Sequence, residues 1–299
     1  MRKNPSECID SVVWYTYLPE EPTTEMWQVL DGLSPKHLEL FAFMDYEECY
    51  VRGLNTLKHQ WNDLESLTLR NFCKPNFMKR APKVFSRISS LTLDLCSGSG
   101  IEYLPPDGTH LKHLRILENN SCDMFCFGVD KAPNIMKGLE VLEIETKYGH
   151  QNDFIYTHIP QDFRDRLRQC TSLREFRLAA CYEDSLDTDM ASYIPSSVEK
   201  LSLYFTRSLP FLQDIEDWTK HASDETWLPN LKSFQLTVDP ESRVGGLEGD
   251  VFKSAPWTRN LEKPPREFSP EAFDMEFEAK RRVLYEVLKS NRALIDLLT

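Results

Sequence analysis

The sequence predicts an α/β solenoid, a coil of short parallel strands joined by helical or irregular returns. Three observations predict it. One outline, Lxx[LF]xLxx, recurs along most of the chain. Apolar residues at helical spacing lie between several of its copies. Beyond residue 240 the outline stops, and a Gly- and Pro-bearing stretch leads into a capped amphipathic helix.

The copies, in order, are IDSVVWYTY (9–17, the weakest), PKHLELFAF (35–43), LESLTLRNF (64–72), ISSLTLDLC (88–96), LKHLRILEN (111–119), LEVLEIETK (139–147), LREFRLAAC (173–181), VEKLSLYFT (198–206) and LKSFQLTVD (231–239). Their fourth residues lie 23 to 34 positions apart, about 28 on average. Apolar residues at the fourth and sixth places follow the period of a strand with one buried face. The rest of each copy must return to start the next parallel strand, so the chain coils. Tyr50, Leu54, Leu57 and Trp61 show helical spacing, as do Phe163, Leu167 and Cys170 after Pro160, and Leu212, Ile215 and Trp218 after Pro210. The shortest copies leave room only for irregular or 3₁₀ returns.

Residues 1–239 are thus expected to form about nine coils. Residues 240–268 carry Gly245, Gly246 and Gly249 with Pro256, Pro264 and Pro265, the composition of an irregular connection. In 269–299, Ser269 suits an N-cap, Pro270 the first helical position, and Phe273, Phe277, Leu284, Leu288 and Ile295 share one face. A coil of open repeats needs its last unit covered, so this segment is expected to be a C-terminal capping helix.

The pattern resembles the leucine-rich repeat, LxxLxLxxN/C at 20–29 residues. The resemblance spans residues 9–239 and implies strands on a concave face with returns on a convex one. It also implies that Cys96 and Cys181, at the N/C place where Asn119 stands in another copy, turn inward to bond neighbouring backbone. Irregular repeat lengths most resemble the repeat half of fungal-style F-box proteins, in which an F-box binds a cullin adaptor and the repeats hold a ubiquitination substrate. LPEEPTTEMW (18–27) keeps only a faint trace of an LPxE-led F-box, so the box is expected to be absent, truncated or lost.

Composition narrows the function. The net charge of −12 opposes binding to a nucleic-acid backbone. The longest apolar runs, such as 40–44, are far short of a bilayer span, and 12–18 is not followed by a small-residue cleavage site. A cytoplasmic or nuclear protein is expected. Its eight cysteines, none in a CxxC pair, read as reduced thiols. His110, His113, Cys122 and Cys126 have zinc-ligand chemistry, but the pairs are too close for finger spacing. Asp184, Asp187 and Asp189 could attract a hard cation yet lack the Gly and final Glu of an EF-hand loop, so a solvated acidic loop is expected. SGSG at 97–100 lacks the Lys-[Ser/Thr] of a P-loop and reads as a turn. GxSxG, HExxH and kinase signatures are missing, so no enzyme, metal or cofactor is expected.

The exposed strand positions carry the expected site. One row runs Arg115, Glu143, Arg177; Glu175 stands beside Lys200, and Arg70 beside Asp94. These read first as pairs that neutralise one another across strands, worth about 0.2–1 kcal/mol each, and second as a polar docking surface. Tyr15, Phe41 and Tyr204, with Leu117, are left over as candidate anchors for a protein partner. The expectation is a non-catalytic protein-interaction module. Substrate recognition for an SCF-type ubiquitin ligase is one role, and a scaffold or inhibitor unrelated to ubiquitin is another. The rival from a different class is a metal protein or enzyme using the acidic loop 184–189.

Overall fold

The computed structural model describes residues 10–15, 23–33, 35–42, 47–57, 61, 63–72, 85, 87–94, 96, 110–118, 121–145, 159–180, 190–205, 207, 209–239, 269–292 and 294–298. They divide into two compact units, one of residues 1–150 with 169–173, the other of 151–168 with 174–299. Each is an α/β arrangement built on parallel strands.

In the first unit, strands β1 (Ser11–Tyr15), β2 (His37–Phe41), β3 (Ser66–Arg70), β4 (Ser90–Asp94), β5 (His113–Leu117) and β6 (Val141–Glu145) pair in parallel, each with the next in sequence. The fourth residues of the repeated outline fall opposite one another: Val12 on Leu38, Leu38 on Leu67, Leu67 on Leu91, Leu91 on Leu114 and Leu114 on Leu142. Leu38, Leu67, Leu91, Leu114 and Leu142 are all buried, as are their sixth-place partners Leu40, Leu69, Leu93, Ile116 and Ile144. Two rows of aliphatic side chains therefore run across the strands beneath the sheet. Each fully buried Leu or Ile contributes about 1.5–3 kcal/mol relative to exposure.

The returns add helices α1 (Thr24–Leu33), α2 (Glu47–Leu54), α3 (Ser121–Lys131) and α4 (Asn134–Gly138). An aromatic file fills the space under β1–β3: Trp14 stacks on Trp27 at 5.0 Å, Trp27 meets Tyr50 edge-on at 6.0 Å, and Tyr50 lies 5.7 Å from Phe72. The Tyr50 hydroxyl donates to the Phe41 carbonyl at 2.7 Å. The helical spacing from Tyr50 to Trp61 closes into α2 only as far as Leu54. Thr56 and Leu57 form a turn whose N–H groups return to Gly53 and Leu54.

The second unit repeats the design with α5 (Gln161–Arg168), β7 (Glu175–Ala180), a 3₁₀ turn (Met190–Tyr193), β8 (Lys200–Phe205), α6 (Leu209–Ser223) and β9 (Ser233–Val238). Phe176, Leu201 and Phe234 face one another in register and are buried.

The C-terminal segment departs from expectation. Helix α7 (Pro270–Asn291) ends eight positions before the chain does, and β10 (Asp296–Leu298) follows, adding a parallel strand to β9. Ile295, expected on the helix, instead lies in the turn before β10. The apolar run LIDLLT reads the same for either structure; pairing with the open edge of β9 decides it. Ser269 caps the helix, its Oγ accepting from the Ala272 N–H at 3.2 Å, with Pro270 at the first position. Phe273, Phe277, Leu284 and Leu288 are buried, and the helix packs on α6. Among the described residues, no helix is long and apolar enough to cross a membrane.

Candidate functional site: the open face of the strands

Side chains at the first, third and fifth strand positions stand on the face opposite the aliphatic rows. Their register makes three lines across each unit. In the first unit the leading line holds His37, Ser66, Ser90 and His113, with His37 Nδ1 2.8 Å from Ser66 Oγ. The middle line holds Val13, Glu39, Thr68, Thr92, Arg115 and Glu143. The last holds Phe41, Arg70, Asp94, Leu117 and Glu145, with the Tyr15 backbone in register beside Phe41.

The charged residues do not pair one to one. Arg70 reaches Asp94 beside it on β4 (2.5 Å) and Glu39 diagonally on β2 (2.5 Å). Arg115 reaches Glu143 (3.1 Å) and Glu145 (3.6 Å), both on β6. A guanidinium offers five donors in a fixed fork, so Arg70 can donate to acids on the strands at either side, Glu39 and Asp94. Asp94, only 3% exposed, is the one carboxylate of the four that is closed from solvent.

In the second unit Lys200 pairs with Glu175 at 3.1 Å. Arg177 is exposed beside Ser202 and forms no ion pair among the described residues. Another set of pairs, missed in the sequence, lies one residue ahead of the strands: Lys36–Asp10 (3.7 Å), Lys112–Glu140 (2.7 Å) and Lys232–Glu199 (2.6 Å). Lys232 holds the Glu199 carboxyl below its ordinary range. Exposed pairs of this kind contribute about 0–1 kcal/mol each.

The candidate anchors fare differently. Tyr204 is 38% exposed near the end of β8. Phe41 is half-buried at the end of β2, and the Tyr15 side chain lies outside the described residues. Leu117 is no anchor, since it is buried at 6% exposure. Alternation puts it on the open face only while the strand stays extended. Here the chain turns at Glu118, whose N–H donates to the Glu145 carbonyl, and enters α3 at Ser121, so Leu117 is drawn in together with Glu118.

At the strand ends two polar side chains tie one coil to the preceding one. The Cys96 thiol donates to the Leu69 carbonyl at 3.4 Å. Asn71 Nδ2 donates to the Ala42 carbonyl at 2.8 Å. Asn71 has φ of 59°, a left-handed conformation that Asn tolerates better than most residues. Burial pushes the Cys96 thiol up to about 12, and does the same to Cys170. Cys122 is raised too, by burial and then by Cys126 and Asp123. Such thiols stay protonated and unreactive at neutral pH.

Of the zinc-type residues, His110 and His113 are exposed while Cys122 and Cys126 are buried a turn apart on α3. Among the described residues no three His, Cys, Asp or Glu side chains are grouped to hold a metal ion. Cys181, Asn119, the SGSG run and Asp184, Asp187 and Asp189 lie outside the described residues, as do most of the returns of the two shortest repeats. No family model matches the chain, and no curated protein does either.

Proposed function

We propose that this chain is a non-catalytic protein-interaction module built as a leucine-rich repeat solenoid, and that it holds its partner on the open face of the strands. The observation that supports this reading is the register. Within each unit, strand after strand sets its outward side chains in line with the next, so polar, charged and aromatic groups form rows rather than a pit around one reacting atom. Rows of this kind suit a macromolecule, which needs many spaced contacts over a large area. The first biological role to test is substrate recognition for an SCF-type ubiquitin ligase, which rests on the repeat style alone.

The test is affinity capture with the tagged chain and its Tyr204→Ala variant, followed by quantitative mass spectrometry. The reading expects one partner in near-stoichiometric yield with the parent chain and several-fold less with the variant, at unchanged melting temperature. Cullin adaptor among the captured proteins supports the ligase role; a single partner without it makes the chain a scaffold or inhibitor. Capture untouched by Tyr204→Ala removes that residue as an anchor.

A further inference from the structure

The outer edge of the second unit's strands is uncovered, and the helix beside it carries a charge pattern that complements its own reverse. β10 stands last in the ladder, and among the described residues no strand pairs with its far side. Leu297 lies in register with Phe234 of β9, which is fully buried, yet is itself only half-buried. The apolar row beneath the strands thus ends without cover, and a repeat coil needs its last unit closed. The Asp296 N–H turns to β9, where it donates to the Lys232 carbonyl at 2.8 Å. The N–H and carbonyl of Leu297 therefore turn to the free edge, where another strand can pair with them.

Helix α7 borders that edge. Its Tyr285 donates to the Leu298 carbonyl, while Lys280, on another side of the helix, reaches the Leu212 carbonyl and Glu216 of α6. Turned away from α6 are Glu278, Arg282, Glu286 and Lys289, all exposed and within an arc of about 80° at 3.6 residues per turn. Glu278 is held by Arg281 at 2.7 Å but keeps 52% side-chain exposure. Arg282, Glu286 and Lys289 form no ion pair among the described residues. Along the helix the signs run acid, base, acid, base; reversed, they run base, acid, base, acid. Two antiparallel copies therefore set Glu278 against Lys289 and Arg282 against Glu286, each pair made twice, around a twofold axis level with Leu284. Tyr285, the next residue, marks the level of Leu298, so the same axis brings the Leu297 edges of two β10 strands together. It also turns Met275, 71% exposed, toward the other copy's Leu294, 96% exposed.

We infer that this edge is a dimer interface, in which a second copy of the chain packs its α7 antiparallel on α7 and pairs its β10 antiparallel with β10. A twofold contact uses the same patch on both copies, so it closes at two. The joint is small, about four turns of helix and one short strand from each copy, and association is expected at micromolar concentrations. The inference goes beyond the open-face reading and does not depend on it.

The test is sedimentation equilibrium of the full chain up to about 200 μM, at low and physiological salt. A monomer–dimer equilibrium should appear and weaken with salt. Arg282→Glu alone, or Glu286→Arg alone, sets like charges against each other and should weaken the dimer by about tenfold or more. An equal mixture of the two variants should restore it, because each altered charge then meets its opposite across the joint. Both changes in one chain should restore it for the same reason. Neither a folding defect nor a change in net charge is repaired by mixing, and melting temperatures confirm that each variant folds. In the dimer, the Leu297 amide should exchange more slowly than in the dilute monomer. The inference is overturned if the parent stays monomeric, if the mixed variants stay as dissociated as each alone, or if Leu297 gains no protection. Assembly beyond two copies overturns it as well, since it would require a head-to-tail contact.

Discussion

Gly53, in α2, has no space for a side chain. A Cβ built there would lie 1.8 Å from Cε2 of Trp27. The indole cannot step back freely, because Trp14 stacks on it and Tyr50 meets it edge-on. Overpacking of this kind costs about 1–3 kcal/mol, more than the half to one kcal/mol that Ala gains over Gly inside a helix. Gly53→Ala should therefore lower the urea midpoint without altering the slope, and an unchanged midpoint would show that the aromatic file can shift at no cost. At this scale the sequence is readable where chemistry repeats and opaque where it does not. Leu67, Leu91 and Leu114 are readable because the same residue returns at the same place in each outline. The second acid of Arg70 is not, because Glu39 stands two residues out of register on the neighbouring strand, and only a diagonal reach reveals it. Nor is the fit of Gly53 to Trp27, which depends on two returns that share no pattern.

Helix α7 and strand β10 show how an element is held by a few polar contacts once its apolar face is seated. The Tyr285 hydroxyl accepts from the Leu236 N–H of β9 (3.1 Å) and donates to the Leu298 carbonyl of β10 (3.1 Å). Arg281 donates to the Leu236 carbonyl, and buried Arg207 forms a two-bonded pair with Asp274, whose carboxyl it holds below the usual range. Tyr285→Phe keeps the ring, which meets Phe234 edge-on, and removes only the oxygen. The part-buried Leu236 N–H then loses its acceptor, at about 1–3 kcal/mol. Amide exchange at Leu236 should accelerate while exchange in the middle of α6 stays slow; protection at Leu236 equal to the parent's would refute the bridging role. The cap Ser269–Pro270 and the stripe from Phe273 to Leu288 were legible, since capping and 3.6-residue spacing are local rules. The strand was not. Pairing on the edge of β9 is a non-local event, and nothing in LIDLLT distinguishes it from three further residues of helix.

For the molecule as a whole, an excess of acid sets how stability depends on pH, and one buried carboxyl should dominate part of that dependence. Asp214 on α6 is 8% exposed. Burial, reinforced by Asp217 and only partly offset by Arg164, pushes it from 3.8 to about 7. A carboxyl raised in the fold binds its proton more tightly there than in the unfolded chain. Its contribution thus favours the fold at low pH, declines as pH climbs from about 4, and is a full penalty above about 7, on the order of 4 kcal/mol. The carboxyls of Asp274, Glu199 and Glu216 are lowered instead, so they act in the opposite sense, losing stability as pH falls. The parent curve mixes both, and a single variant separates them. Asp214→Asn retains a polar side chain of the same size but cannot ionise. It should raise the melting temperature at pH 8 and have little effect at pH 4, so the difference between variant and parent grows through the interval from 4 to 7. A difference that is constant across that range would mean Asp214 does not change its protonation on folding, and the acid dependence of this protein would then belong to its other carboxyls.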